Sequence, residues 1–160
     1  MTFTLGQTSK NNLVGVHADL VRVVKRAIEI TPVDFRVHEG VRSVLKQKQN
    51  VAAGVSWTMN GRHLTGHAVD LVPWIDADGD GDCELSWDWD SCYEIARAVR
   101  KAAIECKTPI VWGGVWDKRL NDLSLSLEKE TKSYAARRKK LGRKVKLDGP
   151  HFELERKSYP

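Results

Sequence analysis

Gly61-Arg62-His63-Leu64-Thr65-Gly66-His67-Ala68-Val69-Asp70-Leu71 is the most informative stretch of the chain. Its second half, continued as Ala68-Val69-Asp70-Leu71-Val72, is a short apolar run that reads as a buried strand, ended by Pro73. Upstream, residues 53–62 read as loop, because Gly54, Ser56, Asn60 and Gly61 offer turn chemistry rather than periodicity. Further upstream, Leu13, Val16, Leu20, Val23, Val24, Ala27 and Ile28 recur at three- and four-residue steps, the apolar stripe of an amphipathic helix stopped by Pro32. Asp34 to His38 alternates apolar and polar residues as a strand does, Gly40 ends it, and 41–52 reads as a second helix. Downstream, Cys92, Ile95, Ala96, Val99, Ala103 and Cys106 mark a third helix. Ile110-Val111-Trp112 and His151-Phe152-Glu153-Leu154 complete the strands. Helices and short strands mixed in this order predict a single α+β domain over residues 1–160, with a small, mainly antiparallel sheet and packed helices.

Composition narrows the function classes. A chain of 160 residues with 41% hydrophobic and 29% charged residues can bury a core without staples, which excludes wholesale disorder. No apolar run approaches the roughly 18 residues that span a bilayer. Met1 to Gln7 lacks a basic and an apolar segment, so export by a Sec signal is not expected. Three cysteines, Cys83, Cys92 and Cys106, have no CxxC spacing, which argues against a disulfide scaffold or a thiolate metal site. The net charge of +5 hides two opposite fields. Residues 76–90 carry seven acidic side chains and residues 129–146 carry nine basic ones, a pattern that suggests a cation site and an anionic partner.

The chain has five histidines: His17, His38, His63, His67 and His151. His63 lies in the stretch quoted first, and His151 in Asp148-Gly149-Pro150-His151-Phe152-Glu153-Leu154. Imidazole nitrogen and carboxylate oxygen are ligands that Zn²⁺ accepts, and a catalytic zinc takes three of them with a fourth position left to water. His63, Asp70 and His151 would provide those three, and Asp148 would be the extra carboxylate that takes a proton from the water. Spacing alone leaves this reading beside the ordinary one, in which such histidines sit on the surface or in a satisfied core.

His63-x-x-Gly66-x-Ala68-x-Asp70, followed far downstream by Asp148-x-x-His151, resembles the zinc D-Ala-D-Ala carboxypeptidase family, which includes the phage L-alanyl-D-glutamate endopeptidases that serve as lysis enzymes. Phe35-Arg36-Val37-His38-Glu39-Gly40-Val41-Arg42, Gln47, Ser56 and Trp112-Gly113-Gly114-Val115-Trp116 extend the resemblance over most of the chain. It implies that His63, Asp70 and His151 bind zinc, that Asp148 is the catalytic base, and that Arg42 steadies the developing oxyanion. It places Gln47, Ser56, Trp112 and Trp116 at the substrate, and leaves His67, His17 and His38 with structural or solvent-facing roles. The resemblance implies a peptidoglycan hydrolase of the endolysin type that accumulates in the host cytoplasm and reaches the wall when the membrane is opened. A D-Ala-D-Ala carboxypeptidase is the alternative within the family; a non-catalytic wall- or calcium-binding module and a nucleic-acid-binding protein are the alternatives outside it. The family usually has serine two residues before the first ligand, where this chain has Gly61.

Two further strings stand apart. Asp76-Ala77-Asp78-Gly79-Asp80-Gly81-Asp82-Cys83-Glu84 matches positions 1, 3, 5, 6, 7 and 9 of an EF-hand loop, with Asp76, Asp78, Asp80, Asp82 and Glu84 as calcium candidates. Position 12 is Trp87, so Asp88 or Asp90 would have to stand in for the usual glutamate. Residues 117–147 are longer than in short relatives and read as an inserted basic helical arm. Within it Leu120, Leu123, Leu127, Thr131, Tyr134 and Leu141 share a face, and Gly142 stops the helix. The cationic end could meet anionic envelope polymers or lipopolysaccharide. Six tryptophans include Trp57, Trp74, Trp87 and Trp89, for which core packing is the default. No coiled-coil seam demands a partner, so a monomer is expected.

Overall fold

The structure, a computed structural model, describes residues 2–56, 58 and 61–160; Trp57 and the turn residue Asn60 lie outside the described residues. In chain order it comprises α1 (Gln7–Asn12), α2 (Ala18–Ile30), β1 (Phe35–Glu39), α3 (Val44–Ala52), β2 (Ala68–Ile75), β3 (Glu84–Leu85), α4 (Trp89–Glu105), β4 (Ile110–Trp112), α5 (Leu127–Lys140) and β5 (His151–Leu154), with 3₁₀ turns at Arg62–Thr65 and Leu120–Asp122. This is the α+β class with a small antiparallel sheet: the strand order is β1-β2-β5-β4, and β3 pairs with the far end of β2.

Strand periodicity sorts the sheet into two chemically different faces. Phe35 and Val37 of β1, Val69 and Leu71 of β2, Phe152 and Leu154 of β5, and Ile110 and Trp112 of β4 all point into the core. There they meet α2, through Leu20, Val23, Val24, Ala27 and Ile28, and α4, through Ile95, Ala96, Val99, Ala102 and Ala103. Each fully buried large apolar side chain contributes about 1.5–3 kcal/mol of transfer free energy. The opposite face carries Asp70, His151 and Glu153. Asp70 pairs directly with His151 across β2 and β5, so strand register alone puts those two side chains beside each other.

Several sequence expectations change in detail. The apolar stripe beginning at Leu13 is not one helix. Gly15 turns the chain at φ +83°, and α2 starts after His17, whose Nδ1 accepts the Asp19 N–H as an N-cap. Pro73 does not end β2. It lies beyond the stretch paired with β5, and the next residue, Trp74, donates to Asp34, so the pairing with β1 continues past it; toward β3, Ser86 N–H donates to Pro73 O and the proline returns no bond.

Residues 120–141 are not one helix either. Arg100 Nε donates to Leu123 O at 2.7 Å and Arg97 Nη1 to Leu125 O at 3.0 Å, which takes up carbonyls a continuous helix would use. Leu120, Leu123, Leu127, Thr131 and Tyr134 are buried against the body of the protein, whereas Leu141 is exposed. Gly142 does end α5: at φ +66° it donates to Lys139 O, and Arg143 donates to Arg138 O, the paired bonds of a Schellman cap.

Candidate active site

His63 comes from the turn Arg62–Thr65, closed by Gly66 in the left-handed region at φ +73°. A Cβ on Gly66 would sit 2.5 Å from Gly15 O, so only glycine lets the turn dock there. The turn brings His63 Nε2 to 3.2 Å from Asp70 Oδ1, and His151 Nδ1 lies 3.3 Å from the same oxygen. Neither contact is aligned as a hydrogen bond, so Asp70 Oδ1 is buried without a hydrogen-bond partner. The three donor atoms lie within 4.8 Å of one another, the arrangement of ligands around a shared ion.

The other ring nitrogens are already committed. His63 Nδ1–H donates to Gly40 O at 2.8 Å, and His151 Nε2–H donates to Glu153 Oε2 at 2.8 Å. These bonds turn His63 Nε2 and His151 Nδ1 toward Asp70. Burial alone would lower the His151 pKa, but the Asp70 and Glu153 carboxylates outweigh it and hold the group at about 10. Asp70 is likewise penalised by burial, yet His151 and His63 hold its carboxyl below the usual range. Two imidazoles and one carboxylate, with an orphaned buried oxygen between them, fit a divalent metal ion with nitrogen and oxygen preference.

Asp148 sits beside this trio. Burial and the nearby Asp70 charge push its carboxyl above the usual range, opposed by His151, His63 and Arg42. The Trp-Gly-Gly string explains how it is held. Asp148 N donates to Gly113 O at 2.9 Å, and a Cβ on Gly113 would lie 2.1 Å from Asp148 O. A Cβ on Gly114 would strike the Trp112 ring at 2.4 Å. Both glycines are therefore required by close approach rather than by ligand contact.

Arg42 lines the same cleft, gripped by Glu39 through Nε and Nη2 at 2.6 and 2.5 Å and donating from Nη1 to Gln47 Oε1 at 2.6 Å. A bulge between Val37 and Glu39 places Glu39 opposite Asp70. Gln47 is fully buried; its amide donates to Ser56 Oγ and to Thr58 O, so it reaches the cleft only through Arg42 and Ser56. A Cβ on Gly61 would come within 3.3 Å of Gln47 Nε2, so glycine makes room for this amide.

The cleft is a cavity of about 690 Å³, whose lining includes Arg42, Ser56, His63, Asp70, Asp148 and His151. Trp116 also lines it, its ring centroid 5.0 Å from His151 and its indole N–H donating to Lys146 O. Trp112 does not belong at the substrate. It pairs with Phe152 on the core face, is fully buried, and donates from its indole to Gly149 O, so it supports the Asp148–His151 loop from behind. His67 stays outside the trio, with Nδ1 2.7 Å from Thr65 Oγ1. His38, expected to be ordinary, lines the cleft edge-on to Trp87. Trp89 packs on Trp112, and Trp74 lies under the Arg36 guanidinium.

The pairing of Arg42 with Glu39, the ordinary sequence reading of that arginine, is present in the structure. Sequence reasoning missed Glu153 as the partner of His151, although it lies two residues beyond His151 on a strand and so shares its face. It also missed Tyr134, Arg138 and Lys146, which the inserted segment delivers to the cleft wall.

In the acidic loop Asp76, Asp78, Asp80 and Glu84 converge, but Asp82 is not among them. The loop already satisfies much of its own charge. Asp76 accepts the N–H groups of Gly79 and Gly81, Asp78 that of Asp80, Asp80 that of Asp82, and Glu84 that of Ala77. Asp88 is not among them either: its Oδ2 caps α4 by accepting from Ser91 N and Oγ, and Asp90 lies in that helix's first turn.

Residues 1–155 match the family model of phage L-alanyl-D-glutamate peptidases. The L-alanyl-D-glutamate peptidase of Escherichia phage T5 is 30% identical over 121 residues, spanning 73% of this chain and 84% of that protein. The crystal structure of the Serratia marcescens L-Ala D-Glu endopeptidase ChiX superposes with a TM-score of 0.72 at 38% identity, covering 99% of this chain and 95% of that one. With the family model matched over residues 1–155 and the fold shared with a 38% identical endopeptidase, the chain belongs to the phage L-alanyl-D-glutamate peptidase family.

Proposed function

We propose that the protein is a zinc-dependent endopeptidase that hydrolyses the L-alanyl-D-glutamate bond of peptidoglycan stem peptides. The observation that carries the reading is the convergence of His63 Nε2, His151 Nδ1 and the orphaned Asp70 Oδ1 beside Asp148. A zinc ion held by those three atoms would supply Lewis acidity and would lower the pKa of a bound water to about 7. Asp148 then has two tasks: it takes the proton of the attacking water and returns it to the departing amine. Its raised pKa suits a group that must both accept and release a proton. Arg42, held flat by Glu39 and Gln47, faces the carbonyl oxygen as negative charge develops there. Gln47 is a positioning residue acting through that guanidinium, and Ser56 and Trp116 border the substrate.

The acidic loop is proposed as a calcium site that modulates this activity. Trp87, at the twelfth loop position, lines the cleft against His38, which gives the loop a physical route to the reaction centre. The lytic role, with accumulation in the host cytoplasm and action on the wall once the membrane opens, follows from the family and belongs to the same proposal. Among the described residues no helix is long and apolar enough to cross a membrane.

The deciding experiment is mass spectrometry of fragments released from purified Gram-negative sacculi by the wild type and by Asp148→Ala. New D-glutamate amino termini from the wild type, about 10²–10⁴-fold slower from the variant at equal zinc content, are expected. Release of terminal D-alanine alone would instead make the protein a carboxypeptidase, and no cleavage by zinc- and calcium-loaded protein would remove the enzymatic reading.

A further inference from the structure

The inserted segment 117–147 presents its cations unevenly. Arg137 is held by Asp117 through two bonds of 2.8 Å, and Lys139 and Lys140 are exposed to solvent. Arg138, one residue on, lines the cleft instead. Its Nε donates to Lys144 O at 3.0 Å, which fixes the guanidinium plane, and among the described residues it has no carboxylate partner. Tyr134, one turn earlier on the same face of α5, is almost fully buried and lines the same cavity.

Two other arginines of the cleft are already engaged. Arg42 is ion-paired with Glu39 and, in the reading above, serves the scissile carbonyl oxygen, and Arg62 donates to the carbonyls of Leu154 and Tyr159. The Arg138 wall is tied to the His151 side of the centre. Trp116 stands against His151 and holds the Lys146 carbonyl, two residues from the Lys144 carbonyl that anchors Arg138. Arg42 is tied to the His63 side, its N–H donating to His63 O at 2.9 Å.

A glutamate whose nitrogen is cut free, and whose chain continues through its γ-carboxyl, carries a free α-carboxylate on the carbon next to the scissile nitrogen. That anion enters a cleft in which Arg42 is occupied. We infer that Arg138, with Tyr134 and Lys146 beside it, forms the subsite that binds the free α-carboxylate of the D-glutamate residue, and so selects the unamidated stem peptide. A guanidinium fixed through Nε leaves its two terminal nitrogens as a fork for a carboxylate. The inference rests on the L-alanyl-D-glutamate reading and deepens it. It assigns the insertion to substrate selection within the cleft, where the sequence alone suggested attraction to the envelope.

The test uses zinc-loaded protein and two synthetic stem-peptide fragments, one with the D-glutamate α-carboxylate free and one with it as the carboxamide. Wild type, Arg138→Gln and Arg138→Lys are compared by kcat and KM, with melting temperature as a check on folding. On the free acid, Arg138→Gln is expected to raise KM about ten- to hundredfold with little change in kcat, the loss of one charge-assisted pair. On the carboxamide the same variant changes KM less than about twofold, because the charge it lost has no partner there. Arg138→Lys, which keeps the charge and loses the Nε bond, recovers part of the loss on the acid alone. Equal losses on both fragments, or none on either, would overturn the subsite, as would a wild type that cleaves the carboxamide as well as the acid. A wild type that binds zinc and cleaves neither fragment would overturn the bond assignment, and the subsite with it.

Discussion

His63, Asp70 and His151 are brought together by a turn and by two paired strands, whereas Asp76, Asp78, Asp80 and Glu84 come from nine consecutive residues. The first group is sheltered inside the fold and holds an oxygen with no hydrogen-bond partner. The second is largely exposed, and its carboxylates accept hydrogen bonds from the loop's own backbone. A buried unsatisfied acceptor costs about 1–3 kcal/mol, an expense at the trio that a shared cation would relieve. The loop carries no such expense and is closed by local bonds alone. Tertiary structure thus prepares one site to be occupied, and local turn chemistry makes the other tolerant of being empty.

Removing the central oxygen should have the largest effect. Asp70→Ala leaves two imidazoles with no shared anion, and hydrolysis of sacculi should fall to background while zinc content, read by atomic emission, drops with it. The equivalent deletion in the loop, Asp78→Ala, should leave zinc content unchanged. If Asp70→Ala retained full zinc, the trio would not be the metal centre and the contrast between the sites would collapse.

A smaller effect belongs to Glu153, which touches no ion itself. Its carboxylate orients the His151 ring and raises its basicity through Nε2. Glu153→Gln should keep the ring in place while weakening the charge behind it, lowering zinc affinity or activity about 10–100-fold. Competition with a chromophoric chelator measures the affinity directly. An unchanged affinity would mean that the trio is held by packing alone.

How much of this was legible in the sequence follows the same division. The trio and Asp148 were legible through the resemblance of their strings to the family, since spacing and residue type alone left the ordinary reading beside it. β1 was readable because its alternation is local, and β2 because a short apolar run is. What escaped depends on which strand lies beside which. Trp112 sits next to the Trp-Gly-Gly turn at the cleft, yet its pairing with Phe152 puts it on the core face, and nothing within residues 110–116 reveals that register. The break before α5 escaped because Arg97 and Arg100, on another helix, take the carbonyls that would have continued it. Arg138 looked like one member of a solvated basic run until α5 was placed against the cleft. The missing twelfth ligand was visible as Trp87, but that Asp88 caps α4 was not.

The smallest predicted effect sharpens the comparison from the loop's side. Asp76 accepts from both Gly79 and Gly81, the two loop residues with positive φ, so it shapes the turn as well as offering a ligand. Asp76→Asn keeps one acceptor oxygen and removes a charge, and calcium affinity should fall at least about tenfold, equivalent to ~1.4 kcal/mol. Zinc content and hydrolysis at saturating calcium should stay within about twofold of wild type if affinity is all that changes. Trp87 supplies the readout, since its indole stands against His38 in the cleft and its fluorescence should follow calcium titration in step with activity. A calcium response in fluorescence without one in activity would confine the ion to the loop, and the two sites would then share a fold without sharing a function.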